Sequence, residues 1–196
     1  MLCDLARGEG GAVFLDRDGV INRDRSDYVR RWNQFEFLPG ALEALRELAR
    51  EDLSVLVVSN QSAVGRGLMS PRDLDEINTR MLETVAAAGG RIDGAYYCPH
   101  APDEGCVCRK PAPGLLLRAM RRFGLDPGCC FLVGDSVTDI LAAREVGIPS
   151  ILVLTGHGQK ALVDPRLRDC PITYIAANLR ESVCWLLQEG KRWLWP

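Results

Sequence analysis

The chain has 196 residues, 47% of them hydrophobic, which is enough to fill the core of one domain. Its net charge of −2 withholds the basic surface that general nucleic-acid binding needs. No apolar run reaches the roughly 18 residues of a membrane-spanning helix, and the opening MLCDLARGEGG lacks the apolar stretch of a secretion signal, so a cytoplasmic protein of one domain, residues 1–196, is expected.

Ala12 to Leu15 is a short apolar run and predicts a strand ending at Asp16. Leu38-Pro39-Gly40 opens a helix through ALEALRELAR, whose leucines share one face. Leu53 to Val58 predicts a second strand, followed by a polar loop from Ser59 to Gly67. Ser70 followed by Pro71 is a helix cap with proline in the first turn, and that helix runs towards Ala88. Ile92 to Tyr97 predicts a third strand, Pro113 opens a helix closed near Gly124, and Cys129 to Val133 predicts a strand ending at Gly134-Asp135. A helix to about Val146, a strand from Ile148 to Leu154 and a terminal helix from Asn178 complete the chain. Trp185, Trp193 and Trp195 in that tail are expected to pack on the core, leaving a monomer.

Strands separated by helices of this length imply right-handed crossovers. The expected fold is an α/β, Rossmann-like three-layer sandwich with a mainly parallel central sheet. In such sheets ligands bind beyond the carboxyl ends of the strands. Asp16, Ser59 and Asp135 each follow or end a strand, so they are expected to converge there.

Within VFLDRDGVIN, Asp16 and Asp18 stand one residue apart at a strand mouth, and Gly19 allows the chain to turn. Two carboxylates that close resist joint ionisation unless a cation lies between them, and Mg²⁺ suits an all-oxygen set. Taken alone, the pair could equally be two acids on a solvated loop. VLVVSNQS ends a strand with a hydroxyl and two amides able to donate to phosphate oxygens; CRKPAPG brings Arg109 and Lys110; FLVGDSVTD brings Asp135, with Asp139 one helical turn on.

The eight cysteines do not read as a disulfide framework, because the chain is long and three of them crowd beside a histidine. CPHAPDEGCVC offers Cys98, His100, Cys106 and Cys108, three thiolates and an imidazole, a donor set for tetrahedral Zn²⁺. Four protein ligands leave no open position, so the expected zinc is structural, within a loop at residues 97–110 that ends on Arg109 and Lys110. Cys129 and Cys130 are expected in a buried strand, and Cys3, Cys170 and Cys184 as small apolar fillers.

The four segments D-R-D-G, strand-terminal Ser59, Lys110 before proline, and G-D-S-V-T-D resemble, in order, the motifs of the haloacid dehalogenase superfamily of phosphotransferases, from about Ala12 to Gly156. The zinc loop narrows the resemblance to its heptose-bisphosphate and histidinol-phosphate phosphatases. D-R-D-G-V-I-N and NQSAVGRG are closer to the heptose group, where the histidinol group carries an acid at the place of neutral Ser62. The resemblance implies that Asp16 is the nucleophile and Asp18 the general acid and base, with Ser59 and Lys110 holding the transferred phosphoryl group. It also implies Mg²⁺ at Asp16, Asp135 and the Asp18 carbonyl, with Asp139 behind the metal ligands. Substrate contacts would come from Asn60, Gln61, Ser62, Arg66, Arg109, Asp24 and Asp27. Ser136 stands where some heptose enzymes place a substrate-binding lysine, which leaves the sugar preference open. With no long insertion between motifs, the fold is expected to be essentially capless and the partner a small phosphorylated sugar. A histidinol-phosphate or broader metabolite phosphatase, and a catalytically inactive zinc-stapled binding module, remain the alternatives.

Overall fold

GAVFL, LSVLVVSN and CFLVG carry almost unbroken apolar runs, the pattern of strands covered on both faces. The computed structural model, which describes residues 11–190, places these segments in one parallel sheet of six strands. The strands are β1 (Gly11–Leu15), β2 (Leu53–Asn60), β3 (Gly94–Cys98), β4 (Cys130–Gly134), β5 (Ser150–Val153) and β6 (Tyr174–Ala176), in the order β3-β2-β1-β4-β5-β6. Order reverses at β1, where β2 lies on one side and β4 on the other. Such a reversal opens a crevice beyond the strand ends, and Asp16 stands there.

The helices are α1 (Ala41–Leu48), α2 (Pro71–Ala87), α3 (Gly114–Phe123), α4 (Val137–Val146), α5 (Gly158–Leu162) and α6 (Leu179–Trp185). One apolar layer joins Val13, Leu15, Val55 and Phe131 to Leu45, Leu48, Met81 and Val183 of α1, α2 and α6. The opposite layer joins Ala12, Phe14, Leu56 and Leu132 to Leu116 and Ala119 of α3 and Ala142 and Ala143 of α4. Alternate residues of β1 thus face opposite layers. Full burial of side chains such as Leu15 and Phe14 contributes about 1.5–3 kcal/mol each, and it fixes the strand mouths that carry the polar groups.

Local signals agree with this outcome. Ser70 accepts from the Asp73 N–H while the Asp73 carboxylate accepts from the Ser70 N–H, a reciprocal cap on α2. Gly124 closes α3 in the left-handed region. The structure also adds β6 and α5, which the sequence pattern did not announce. The third strand begins at Gly94 and runs to Cys98, so the first expected zinc ligand belongs to the sheet itself.

Trp185 stacks on Tyr174 at 4.6 Å and meets the edge of Phe131 at 6.0 Å, as expected of core packing. Cys3, Trp193 and Trp195 lie outside the described residues. Cys129, Cys130 and Cys170 are buried, but Cys184 is exposed, contrary to its expected role as an apolar filler, because it points away from the buried face of α6. No helix among the described residues is long and apolar enough to cross a membrane.

Candidate active site

β1 ends at Leu15, and the chain turns through Asp16-Arg17-Asp18-Gly19. Gly19 has φ +80°, and a side chain there would strike Asp135 Oδ2 at 2.1 Å; Gly156, after β5, meets the same oxygen at 2.0 Å. Both positions require glycine for backbone freedom and for close approach. Asp135 is therefore enclosed by two bare backbone segments, with its Oδ2 accepting from the His157 N–H at 2.7 Å.

Asp16, Asp18, Ser59 and Asp135 line one cleft of about 470 Å³. Lys110 reaches its floor from the end of the cysteine-rich loop. Its Nζ lies 3.1 Å from Asp16 Oδ1, donates to the Val58 carbonyl at 2.7 Å, and pairs with Asp139 Oδ1. Asp139 Oδ2 accepts from the Ser136 N–H and hydroxyl, so both its oxygens are committed. A second groove, of about 710 Å³ between segments 30–34 and 64–73, holds none of these aspartates.

The electrostatics of the floor are unbalanced. Carboxylate oxygens of Asp16, Asp135 and Asp139 all lie within 4.8 Å of one another, and Lys110 supplies one compensating charge. Burial, reinforced by the neighbouring carboxylates, pushes Asp135 up to about 9. Burial pushes Asp16 up to about 6 despite Lys110. Burial works against the Lys110 ammonium, but Asp139 and Asp16 outweigh it and raise its pKa. Once Asp16 and Asp135 have given up their protons, three carboxylates against one ammonium leave two negative charges, which fits a divalent cation held by oxygen donors.

Asp18 behaves differently. Burial alone would raise it, but Arg17, Asn22 and Gln61 hold it below the usual carboxylate range. It is an ionised acceptor in this arrangement. The proton expected on a general acid has to be acquired there.

Four donors also converge in the cysteine-rich loop. Cys98, His100 Nδ1, Cys106 and Cys108 offer ligand atoms within 4.8 Å of one another, with sulfur–sulfur separations of 3.3–3.5 Å. Tetrahedral zinc with bonds of about 2.3 Å places sulfurs about 3.8 Å apart, so the set fits that ion with slight opening. Burial raises Cys98 to about 12, whereas hydrogen bonds from Cys108 and Cys98 outweigh burial at Cys106 and lower it to about 7. A thiolate is thus accessible near neutral pH. The loop is fastened at both ends to segment 60–65: Cys98 O accepts from the Gln61 N–H, Pro99 O from the Gly65 N–H, and Asn60 holds both the N–H and the carbonyl of Lys110.

Several expected substrate contacts have other partners. Asn60 lines the cleft, but its amide is spent on the Lys110 backbone at 3.0 and 3.1 Å. Gln61 donates to Asp18 and Ser59 and accepts from Arg17. Asp27 is drawn into a two-point ion pair with Arg25 and a longer one with Arg30, and does not line the cleft. Asp24 does line it, paired at 3.0 Å with His157 Nε2. Ser62 lines it nearly buried, and Arg66 and Arg109 line it with no carboxylate within ion-pair distance among the described residues. Sequence reasoning missed Arg17 and His157, whereas Arg25, which lines the cleft, lies in the loop from Asp24 to Asp27 expected to meet substrate. His157 had one available signal, its place just after Gly156 beyond the end of a strand.

Comparison with known proteins gives concordant results. Residues 107–182 match the HAD-hydrolase-like family. Over 178 residues the chain is 38% identical to a D-glycero-beta-D-manno-heptose-1,7-bisphosphate 7-phosphatase of Bordetella bronchiseptica, covering 91% of this chain and 98% of that one. It is 46% identical to a D-glycero-alpha-D-manno-heptose-1,7-bisphosphate 7-phosphatase of Mycobacterium bovis, over 71% of this chain and 74% of that one. A crystal structure of D,D-heptose 1,7-bisphosphate phosphatase from B. bronchiseptica, complexed with magnesium and phosphate, superposes with a TM-score of 0.86 at 38% identity, covering 91% of this chain and 99% of that one.

Proposed function

Because the chain belongs to the HAD-like hydrolases, among the heptose-1,7-bisphosphate 7-phosphatases, we propose that it removes the C7 phosphate of D-glycero-D-manno-heptose 1,7-bisphosphate through an aspartyl-phosphate on Asp16. The observation that carries this reading is the convergence of Asp16, Asp135 and Lys110 in one buried cluster open to the cleft. Asp16 attacks phosphorus as the ester oxygen leaves. Asp18 gives that oxygen its proton, then takes one from the water that cleaves the acyl phosphate, which frees Asp16 and inorganic phosphate. Ser59 and Lys110 hold the transferred oxygens where charge develops. Asp16 and Asp135 would hold Mg²⁺, together with the Asp18 carbonyl; bound there, it would offset the two uncompensated charges and draw the phosphate in. Asp139 serves behind them by fixing Lys110. Arg66 and Arg109 would meet the far phosphate.

A histidinol-type substrate brings an ammonium, which needs an uncommitted carboxylate at the rim. Asp18 is tied to Arg17, and Arg66 and Arg109 line the cleft with no carboxylate partner among the described residues, so the cleft favours an anionic partner. Phosphate release should be at least about tenfold more efficient, in kcat/KM, from the heptose bisphosphate than from histidinol phosphate. Equal or better turnover of the latter would reverse the assignment, and assays of both sugar anomers fix the branch.

Metal binding should compete with protons. Without a cation, Asp135 keeps a proton to about pH 9 and Asp16 to about pH 6. Both folded-state values lie above the unfolded 3.8, so these groups favour the fold in acid, and that support is lost as pH rises through 6 and then 9. Mg²⁺ affinity by calorimetry should therefore climb about tenfold per pH unit between about 6 and 9, with proton release. Affinity independent of pH would place the ion elsewhere.

Zn²⁺ on Cys98, His100, Cys106 and Cys108 would act as a staple, and three thiol ligands suit a reducing cytoplasm. Cys106→Ser, or zinc removal, should cost about 3 kcal/mol and lower the melting temperature by about 6–12 °C for a chain of this size. Activity should fall in parallel, because Lys110 hangs from this loop. Unchanged melting and rate after verified zinc loss would contradict the staple.

A further inference from the structure

The Asp18 carboxylate sits among converging donors. Arg17 NH2 reaches its two oxygens at 2.8 and 3.0 Å, Asn22 Nδ2 donates to Oδ1 at 2.8 Å, and Gln61 Nε2 donates to Oδ2 at 2.6 Å. Gln61 is the joint of this network. The same Nε2 donates to Ser59 Oγ at 3.2 Å, and Gln61 Oε1 accepts from Arg17 NH2 at 2.9 Å. The residue is 4% exposed, and its main-chain N–H is fastened to the Cys98 carbonyl at 2.7 Å.

Arg17 makes a fixed base for it. The side chain is fully buried, with its guanidinium 5.9 Å from the ring centres of both Phe35 and Tyr97. Its Nε and NH1 have no hydrogen-bond partner among the described residues. A buried cation with two unused donors is costly for the fold alone, and the groups it does hold are Asp18 and Gln61.

A side-chain amide committed at both ends has little left for a substrate, but it can align two other groups. By occupying a lone pair of Ser59 Oγ, Gln61 leaves the Ser59 proton free to point at a phosphoryl oxygen. Its other N–H holds Asp18, the group that must serve the departing oxygen. We propose that Gln61, anchored by Arg17, is a positioning residue that aligns the phosphoryl donor Ser59 and the acid/base Asp18 on either side of the bond to be cut. The proposal rests on the roles given above to Ser59 and Asp18. Released from Gln61, Asp18 is held only by Arg17 and Asn22, and protonation of the leaving oxygen suffers most.

The test separates leaving groups. A sugar phosphate needs a proton on its departing alkoxide, whereas p-nitrophenolate leaves without one. Rapid-quench measurement of aspartyl-phosphate formation from each substrate, with Mg²⁺ present, reads that step directly. In Gln61→Met, of similar volume, the step should slow about 10–100-fold more for the sugar phosphate than for p-nitrophenyl phosphate. KM for either should stay within about threefold of wild type. Gln61→Leu, which also donates to neither Asp18 nor Ser59, should show the same selectivity and replaces the methionine variant if that one does not fold. Equal slowing of both substrates, a change confined to KM, or wild-type rates would overturn the proposal. Absence of aspartyl-phosphate from the wild-type enzyme would instead remove the reading beneath it.

Discussion

Asp16→Asn should lower phosphate release by at least about 10³-fold, because the amide cannot form the acyl phosphate. Its effect on stability should run the other way. Asp16 is pushed up to about 6 mainly by burial, so its ionised form opposes folding and crowds Asp135 and Asp139. The neutral amide relieves that repulsion, and melting in Mg²⁺-free buffer should hold or rise, as at other strained catalytic sites. Activity lost together with several degrees of melting temperature would mean that Asp16 is structural.

Lys110→Met should damage both properties. The ammonium is buried and joins Asp16, Asp139 and the Val58 carbonyl. Removing it leaves Asp139, which is fully buried, without its counter-charge. Breaking a buried pair in this way costs about 3–5 kcal/mol, and loss of a phosphoryl-stabilising cation costs at least about 10²-fold in kcat. The pair Lys110→Met with Asp139→Asn discriminates the two effects. Stability should return in large part, because the orphaned charge is gone, while the rate should stay low. Recovery of activity in the double variant would show that Lys110 acts only as a structural partner of Asp139.

Much of this site was legible in sequence because its chemistry depends on strand ends. Apolar runs ending in Asp16, Ser59 and Gly134-Asp135 fixed three positions that a parallel sheet must bring together, and the sheet places β1 between β2 and β4. The C-x-H and C-x-C pairs were equally readable, since few other arrangements satisfy three thiols and an imidazole in one loop. Asn60 and Gln61 line the cleft as expected, but their hydrogen-bond partners were not legible, for a definite reason. An amide offers the same donors and acceptor to a substrate as to a backbone or carboxylate, and only coordinates reveal that Lys110, Asp18, Ser59 and Arg17 already use them. Asp27 pairs with Arg25 two residues away and lies outside the cleft lining, a local pairing that sequence spacing alone did not announce. Arg17 was hidden because a charged residue between two acids reads as solvated, whereas the turn after β1 sends it beneath them, between Phe35 and Tyr97. β6 has only three residues and one buried position, too short to carry a period.

The central claim is that Asp16 and Asp135 share one divalent ion beside Lys110 and that Asp16 carries the phosphoryl group. A crystal structure of the full chain with Mg²⁺ and beryllium fluoride, a mimic of an acyl phosphate, tests it most directly. The account predicts trifluoroberyllate bonded to Asp16, touched by Ser59 and Lys110, with one Mg²⁺ contacting both Asp16 and Asp135. Fluoroberyllate on another residue, or a metal held by Asp18 and Asp24 away from Asp135, would contradict it.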